Sequence, residues 1–199
     1  MRRRALWLVV AAVCTSILVV HFPAAWASPD SDVWHLDGPH SAAQFSVRHL
    51  GISTVRGTFT KVAGDVSYSP ADPAKSSVNV TIDASSVDTR VAMRDNDLRS
   101  EHFLDVAKYP TITFKSTRVA SAGPGKLAVT GDLTIHGVTK EVTLDVEGPG
   151  APIKNPMGPG QRTGASASTT IKRSDFGMTY MQGMVGDEVV IQIDVEMVK

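Results

Sequence analysis

Cysteine is nearly absent from this chain: Cys14 is the only one, and it lies in an apolar run close to the N-terminus. No disulfide can form within the chain, and no thiolate cluster is available for a structural metal. Aromatic residues are scarce, at 6%. A surplus of charge is missing too, with 20 basic against 20 acidic residues. Arg2, Arg3 and Arg4 supply three of the positive charges, so the rest of the chain is slightly acidic. That balance excludes nucleic acid as a partner, because phosphate binding needs a basic footprint.

The signatures of catalysis are lacking as well. His35, His40, His49, His102 and His136 are scattered over four segments, without the spacing that converges three or four ligands on a metal. Ser41 follows His40, but no Gly-x-Ser-x-Gly elbow surrounds any serine. Asp95, Asp97 and Asp105 read as caps and solvated charges. We assign no catalytic set, no metal site and no cofactor.

What is present begins with a leader. Arg2 to Arg4 precede an apolar run from Ala5 to Val20, and Ala25-Trp26-Ala27 offers small residues for cleavage, so residues 1–27 read as a secretory signal peptide. The run falls short of the ~20 residues that span a bilayer, which leaves an uncleaved anchor as the weaker alternative. Acylation at Cys14 is disfavoured by the bulk of Val13. Residues 28–199 are then one exported domain, expected in the periplasm or secreted.

Beyond the leader the dominant signal is a period of two. Leu127, Val129, Gly131, Leu133 and Ile135 share one parity, and Val142, Leu144 and Val146 share one after a turn, which reads as a β-hairpin. For both sets to reach one face, the loop must hold an even number of residues. A loop of His136-Gly137 would set Asp132 opposite Glu141, a destabilising like-charge pair. A four-residue loop, His136 to Thr139, sets Asp132 opposite Thr143 and is the expected arrangement.

The same alternation marks Ala43 to His49, Val55 to Phe59, Val62 to Tyr68 after a slip near Thr60-Lys61, Val78 to Ile82, Ile112 to Phe114 and Val189 to Met197. Val33 to Leu36 and Thr163 to Thr170 are weaker strand candidates. Between Ser85 and Tyr109 the period is lost, and Asp95 is placed to cap a short helix running toward Leu104. Residues 148–160 hold four glycines and four prolines, and no regular element is expected there. The first or last strand, left as an edge, would offer a place for a homodimer. Eight or nine hairpin-linked strands predict an all-β antiparallel barrel or sandwich. Its inward set includes Ala43, Gly57, Gly64, Gly131, Ala165 and Ala167. In a closed barrel such small residues leave room for a ligand; in a flattened one the glycines mark close approach of the walls.

Several blocks carry a resemblance. Leu36-Asp-Gly-Pro-His40-Ser41, Phe45-Ser-Val-Arg-His49-Leu-Gly51, Val55-Arg-Gly-Thr-Phe59, Arg94-Asp-Asn-Asp-Leu98-Arg-Ser-Glu-His-Phe103, Tyr109-Pro110, Gly131-Asp-Leu-Thr-Ile-His-Gly-Val-Thr-Lys140, Arg173-Ser-Asp-Phe-Gly-Met178 and Val185-Gly-Asp-Glu-Val189 are similar, in order, to those of the YceI-like family of exported bacterial proteins. The resemblance implies an extended, lipocalin-like, eight-stranded antiparallel barrel with one short inserted helix. It implies an apolar channel that binds a long-chain isoprenoid lipid, of the polyprenyl phosphate type or an isoprenoid quinone, as an extracytoplasmic carrier or store and not an enzyme. Carried over to this chain, the pocket involves Phe45, Val47, His49, Phe59, Leu98, Phe103, Phe114, Leu133, Val142 and Phe176. Arg99, His136 and Lys140 are the head-group candidates at its mouth. Such a carrier would touch a membrane transiently. Two other readings stand beside it: a stress-response or structural module with a filled barrel and a protein partner, and, last, a hydrolase.

Overall fold

The structure, a computed structural model, describes residues 32–199, and the expected signal peptide lies outside them. The alternating runs form twelve strands: β1 (Asp32–Leu36), β2 (Ala42–His49), β3 (Ser53–Phe59), β4 (Val62–Tyr68), β5 (Ser77–Asp83), β6 (Val87–Asp88), β7 (Thr111–Gly123), β8 (Lys126–Ile135), β9 (Val138–Glu147), β10 (Ile153–Lys154), β11 (Gln161–Lys172) and β12 (Val185–Val198). One α-helix, α1 (Ala92–Arg99), stands among them.

The slip at Thr60-Lys61 joins β3 and β4 into one bent strand. From β2 the wall passes through β3 and β4 to β5, β7, β8, β9, β11 and β12, and β12 pairs back onto β2. Every one of these pairings is antiparallel, so eight walls close the expected extended barrel. β1 wedges between β4 and β12, β6 adds to β3, and β10 adds to β11. Closure consumes edges. Since β1 is paired on both sides and β12 has β11 and β2 as neighbours, neither the first nor the last strand is the open edge foreseen for a dimer.

The β8–β9 hairpin differs from the expectation. Its loop has two residues, His136 and Gly137, with Ile135 paired to Val138 and Asp132 opposite Glu141. Both loop residues have positive φ, 51° and 73°, as required by the two-residue turn whose twist matches that of its strands. Asp132 and Glu141 are both exposed, so solvent and salt screen their repulsion and the turn chemistry prevails. Two and four residues have the same parity, which is why Leu133 and Leu144 still face inward.

Helix α1 starts before Asp95 and ends at Arg99. Asp95 is buried within it, and its carboxylate accepts from the Thr89 backbone N–H at 2.8 Å and from the Thr89 hydroxyl. Arg94 donates to the Thr89 carbonyl oxygen at 2.9 Å. The segment before the helix is therefore tied down from inside the helix, not by a residue at its N-cap. In the Gly/Pro stretch, Ile153 and Lys154 pair with Arg162 and Gln161. They are neighbours that are neither Gly nor Pro, which leaves both backbones free to join the sheet.

The inward glycines prove to be close approaches. A Cβ on Gly57 would collide with the Phe45 ring, and one on Gly64 with the Asn79 carbonyl oxygen. On Gly131 it would meet the Lys115 carbonyl oxygen at 2.5 Å and Phe114 Cζ at 2.7 Å. The buried core runs along β7, β8 and β9, through Phe114, Val119, Val129, Leu133 and Leu144. Across from it Phe45, Phe59, Ile82, Ile191 and Ile193 are only partly covered, and the open space lies against them.

Candidate functional site

A cavity of about 260 Å³ runs along the barrel axis. At one end it reaches Leu36, Tyr68 and Met197, beside the chain's terminal strands; at the other it reaches Phe103, Met178 and Ile171. That second end carries the β2–β3 turn, α1, the His136 turn and the start of β12, as the register of β12 on β2 requires. The surface presented to the lumen is almost wholly hydrocarbon. An empty apolar void of this size would cost on the order of 6 kcal/mol, comparable to the whole stability of a domain. It is better understood as a ligand site than as a packing defect.

Seven of the predicted pocket residues line the cavity: Phe45, Val47, Phe59, Leu98, Phe103, Phe114 and Leu133. Phe45 and Phe59 meet ring to ring at 5.8 Å on neighbouring strands. His49, Val142 and Phe176 are not in the lining. His49 sits at the far end of β2 opposite Val185, and Val142 packs beside Gly131 against the core. Phe176 is only 1% exposed. β9 and β11 share just the pairs Glu147–Ser166, Val146–Ala167 and Asp145–Ser168. Beyond those pairs a 3-10 turn, Arg173–Phe176, packs on β9, and His136 Nδ1 donates to the Phe176 carbonyl oxygen at 3.2 Å. Phe176 therefore belongs to the material that closes this seam.

None of the three head-group candidates lines the lumen. Arg99 spends its guanidinium on the carbonyl oxygens of Ser85 and Val87, at 2.7 and 2.6 Å. His136 occupies the turn and meets the Tyr109 ring edge-on at 4.9 Å. Lys140, opposite Leu133, is exposed.

A different cation reaches the lining. Arg173 is 4% exposed and donates to the carbonyl oxygens of Met178, Gly186 and Val185 at 2.6, 3.0 and 3.1 Å. Burial pulls its pKa down, against the pull of Asp187 in the other direction. Asp187 in turn accepts from the Ser174 backbone N–H at 3.0 Å and the Ser174 hydroxyl at 2.8 Å, which hold its carboxyl below the usual range. The Arg173-Ser-Asp-Phe-Gly-Met178 block was the sequence signal here. It marked the segment but not which side chain turned inward. Lumen residues Val80, Ile82, Ile191 and Ile193 were also overlooked as pocket members, although strand parity had already placed them on the inner face.

At the other end Asp37, His40 and Glu196 come close enough to share a cation. Arg162 already stands there, with Nη1 2.6 Å from Asp37 Oδ2 and 2.7 Å from Glu196 Oε2. His40 and then Arg162 hold the Asp37 carboxyl below its ordinary pKa. This cluster ties the chain after β1 to β11 and β12.

Residues 34–197, nearly all of the barrel, match the model of the YceI-like domain. The chain belongs to the YceI-like family. A UPF0312 protein of Vibrio cholerae is 46% identical over 144 residues, which cover 72% of this chain and 75% of that one. A UPF0312 protein of Ectopseudomonas mendocina is 42% identical over 159 residues, 80% of this chain and 82% of its own length. Among solved structures, Burkholderia cenocepacia BcnA superposes with a TM-score of 0.71 at 28% identity, over 81% of this chain and 98% of BcnA. The Campylobacter jejuni YceI protein superposes with a TM-score of 0.68 at 34% identity, over 76% and 89%. A polyisoprenoid binding domain from Saccharophagus degradans, at 18% identity and a TM-score of 0.62 over 83% and 97%, shares the fold.

Proposed function

We propose that this YceI-like chain binds a long-chain isoprenoid lipid in its barrel, as an extracytoplasmic carrier or store without catalytic activity. The observation that carries the reading is the lumen itself: an elongated cavity of about 260 Å³ with an almost purely hydrocarbon lining. A prenyl tail offers only CH surface, and its transfer from water gains roughly 25 cal/mol per Å² buried. Almost no polar surface of that lining faces the lumen, Arg173 being turned onto backbone carbonyls, so either head group is expected to remain at a mouth while the tail enters. The solved Saccharophagus degradans domain is described as polyisoprenoid-binding, which agrees with this assignment. Export rests on the leader, residues 1–27.

Native mass spectrometry of the protein purified from a bacterial host, followed by solvent extraction, tests the proposal. A prenyl lipid at near-stoichiometric amount is expected. A protein that is empty and fully stable would overturn the lipid reading and favour the filled-module alternative.

A further inference from the structure

Of ten well-exposed large apolar side chains among the described residues, six lie at the helix end of the barrel: Leu50, Ile52, Val91, Met93, Tyr180 and Met184. Single exposed apolar residues are ordinary, but a collection at one pole is not. Three segments bring them together. Leu50 and Ile52 form the β2–β3 turn, and the Leu50 N–H donates to the Met184 carbonyl oxygen at 2.7 Å. β6 runs antiparallel to β3, with Asp88 opposite Thr58, so residues 89–91 continue toward that same turn and deliver Val91 and Met93. Ile52 and Met93 are 79% and 81% exposed, as protruding tips are.

The rim is continuous with the lumen. Tyr180 stacks on His102 at 4.0 Å and meets the cavity-lining Phe103 edge-on at 5.7 Å. The exposed rim and the cavity lining are thus in direct contact through Tyr180 and Phe103. The charges beside the tips are basic only at the β2–β3 turn, where residues 48–60 contain Arg48 and Arg56 and no acid. Exposed Arg90 adjoins Val91 but has exposed Asp88 two residues before it, Asp97 follows Met93 by one helical turn, and residues 178–184 carry no charge, with Asp187 just beyond them.

We infer that this pole is a membrane-docking face, whose apolar tips insert into the interface of a bilayer with anionic head groups while Arg56 and Arg90 meet the phosphates and Arg48, bonded to Thr54 and the Gly51 carbonyl oxygen, braces the turn that carries Ile52. The inference rests on the lipid-binding reading of the cavity for its purpose, and on exposure and charge for its geometry. Separate protruding turns suit a fluid surface, which needs no fixed complement; apolar insertion combined with basic flanks is the usual means of interfacial binding.

Vesicles of phosphatidylcholine and phosphatidylglycerol provide the test, by co-sedimentation with the purified protein. The wild type is expected to sediment with them, less so at high salt. The pair Ile52→Asp and Met93→Asp is expected to weaken binding by about tenfold or more and to leave the melting temperature and the co-purified lipid unchanged. Ile52→Trp, which puts an interfacial aromatic on the same tip, is expected to tighten binding and shift its fluorescence to the blue on mixing. A wild type that ignores the vesicles, or variants that bind as it does, would overturn the inference. So would a concentration-dependent dimer that the Asp pair abolishes, since the face would then belong to a second copy. A protein that binds vesicles through these tips yet carries no isoprenoid would keep the docking face and remove the cavity reading. The opposite pair of results would do the reverse.

Discussion

Phe45 lies across Gly57, its partner on β3, and its ring fills the place a Cβ would take. The far edge of the ring thus rests on the β3 backbone at Gly57. Gly57→Ala is expected to destabilise the protein by about 1–3 kcal/mol, the usual cost of overpacking, measured as a lower urea midpoint. Phe45→Ala should cost less in the Gly57→Ala background than in the wild type, because the two residues share one space. Strict additivity of the two substitutions would show that the ring is not the obstacle.

Gly131 and Ala167 look alike in the sequence, as small residues of inner parity, but have opposite surroundings. Gly131 is pressed against the backbone of Lys115 and Ser116, whereas Ala167 lines the cavity. Gly131→Phe should therefore collapse stability, with no folded protein left to assay for lipid. Ala167→Phe should fold with a melting temperature near that of the wild type and lose most of its co-purified lipid. Full lipid retention by a folded Ala167→Phe protein would mean that the tail lies elsewhere.

The hairpin exposes one pair that its turn forces together. Asp132 and Glu141 stand directly opposite on β8 and β9. Glu141→Lys converts like charges to opposite ones and is expected to stabilise by roughly 0.2–1 kcal/mol, less at high salt, as read by thermal melting. A destabilised variant would mean that Glu141 has another role.

Strand parity carried most of the fold because the two-residue backbone period holds along each strand between its bulges. Phe45, Phe59, Phe114 and Leu133 reached the lumen for that reason. The loop of the hairpin was misjudged because an exposed charge repulsion was weighed above the twist that His136 and Gly137 supply. Phe176 fell outside because a 3-10 turn has no period to read. Arg99 looked free as a sequence position, yet two backbone carbonyls claim it; where a long side chain ends is decided by the tertiary fold.

Arg173 holds the carbonyl oxygens of Met178, Val185 and Gly186 from a buried position. Arg173→Met fits an apolar setting but leaves those acceptors without their donor, at about 1–3 kcal/mol for each one that stays unsatisfied. Arg173→Lys keeps the charge and loses the planar fork, so it should recover only part of the loss. Denaturation midpoints of the three proteins are expected in the order wild type, Lys, Met. A Met variant as stable as the wild type would show that the segment from Met178 to Gly186 holds its place without the arginine.

Asp187 gives the pH dependence its sign. Hydrogen bonds from the Ser174 backbone N–H and then its hydroxyl lower the folded-state pKa below that of the unfolded chain. A depressed carboxyl contributes stability that is fully present above the unfolded value of about 4 and disappears as pH falls through the folded one. Asp37, lowered by His40 and Arg162, acts in the same direction at the other end of the barrel. Melting temperature should therefore be flat near neutrality and decline below about pH 4. Asp187→Asn removes one contribution, so its melting temperature should lie below that of the wild type at neutral pH and converge with it in acid. A gap that stays constant through the acid range would show that the carboxylate charge contributes nothing and that Asp187 acts by shape alone.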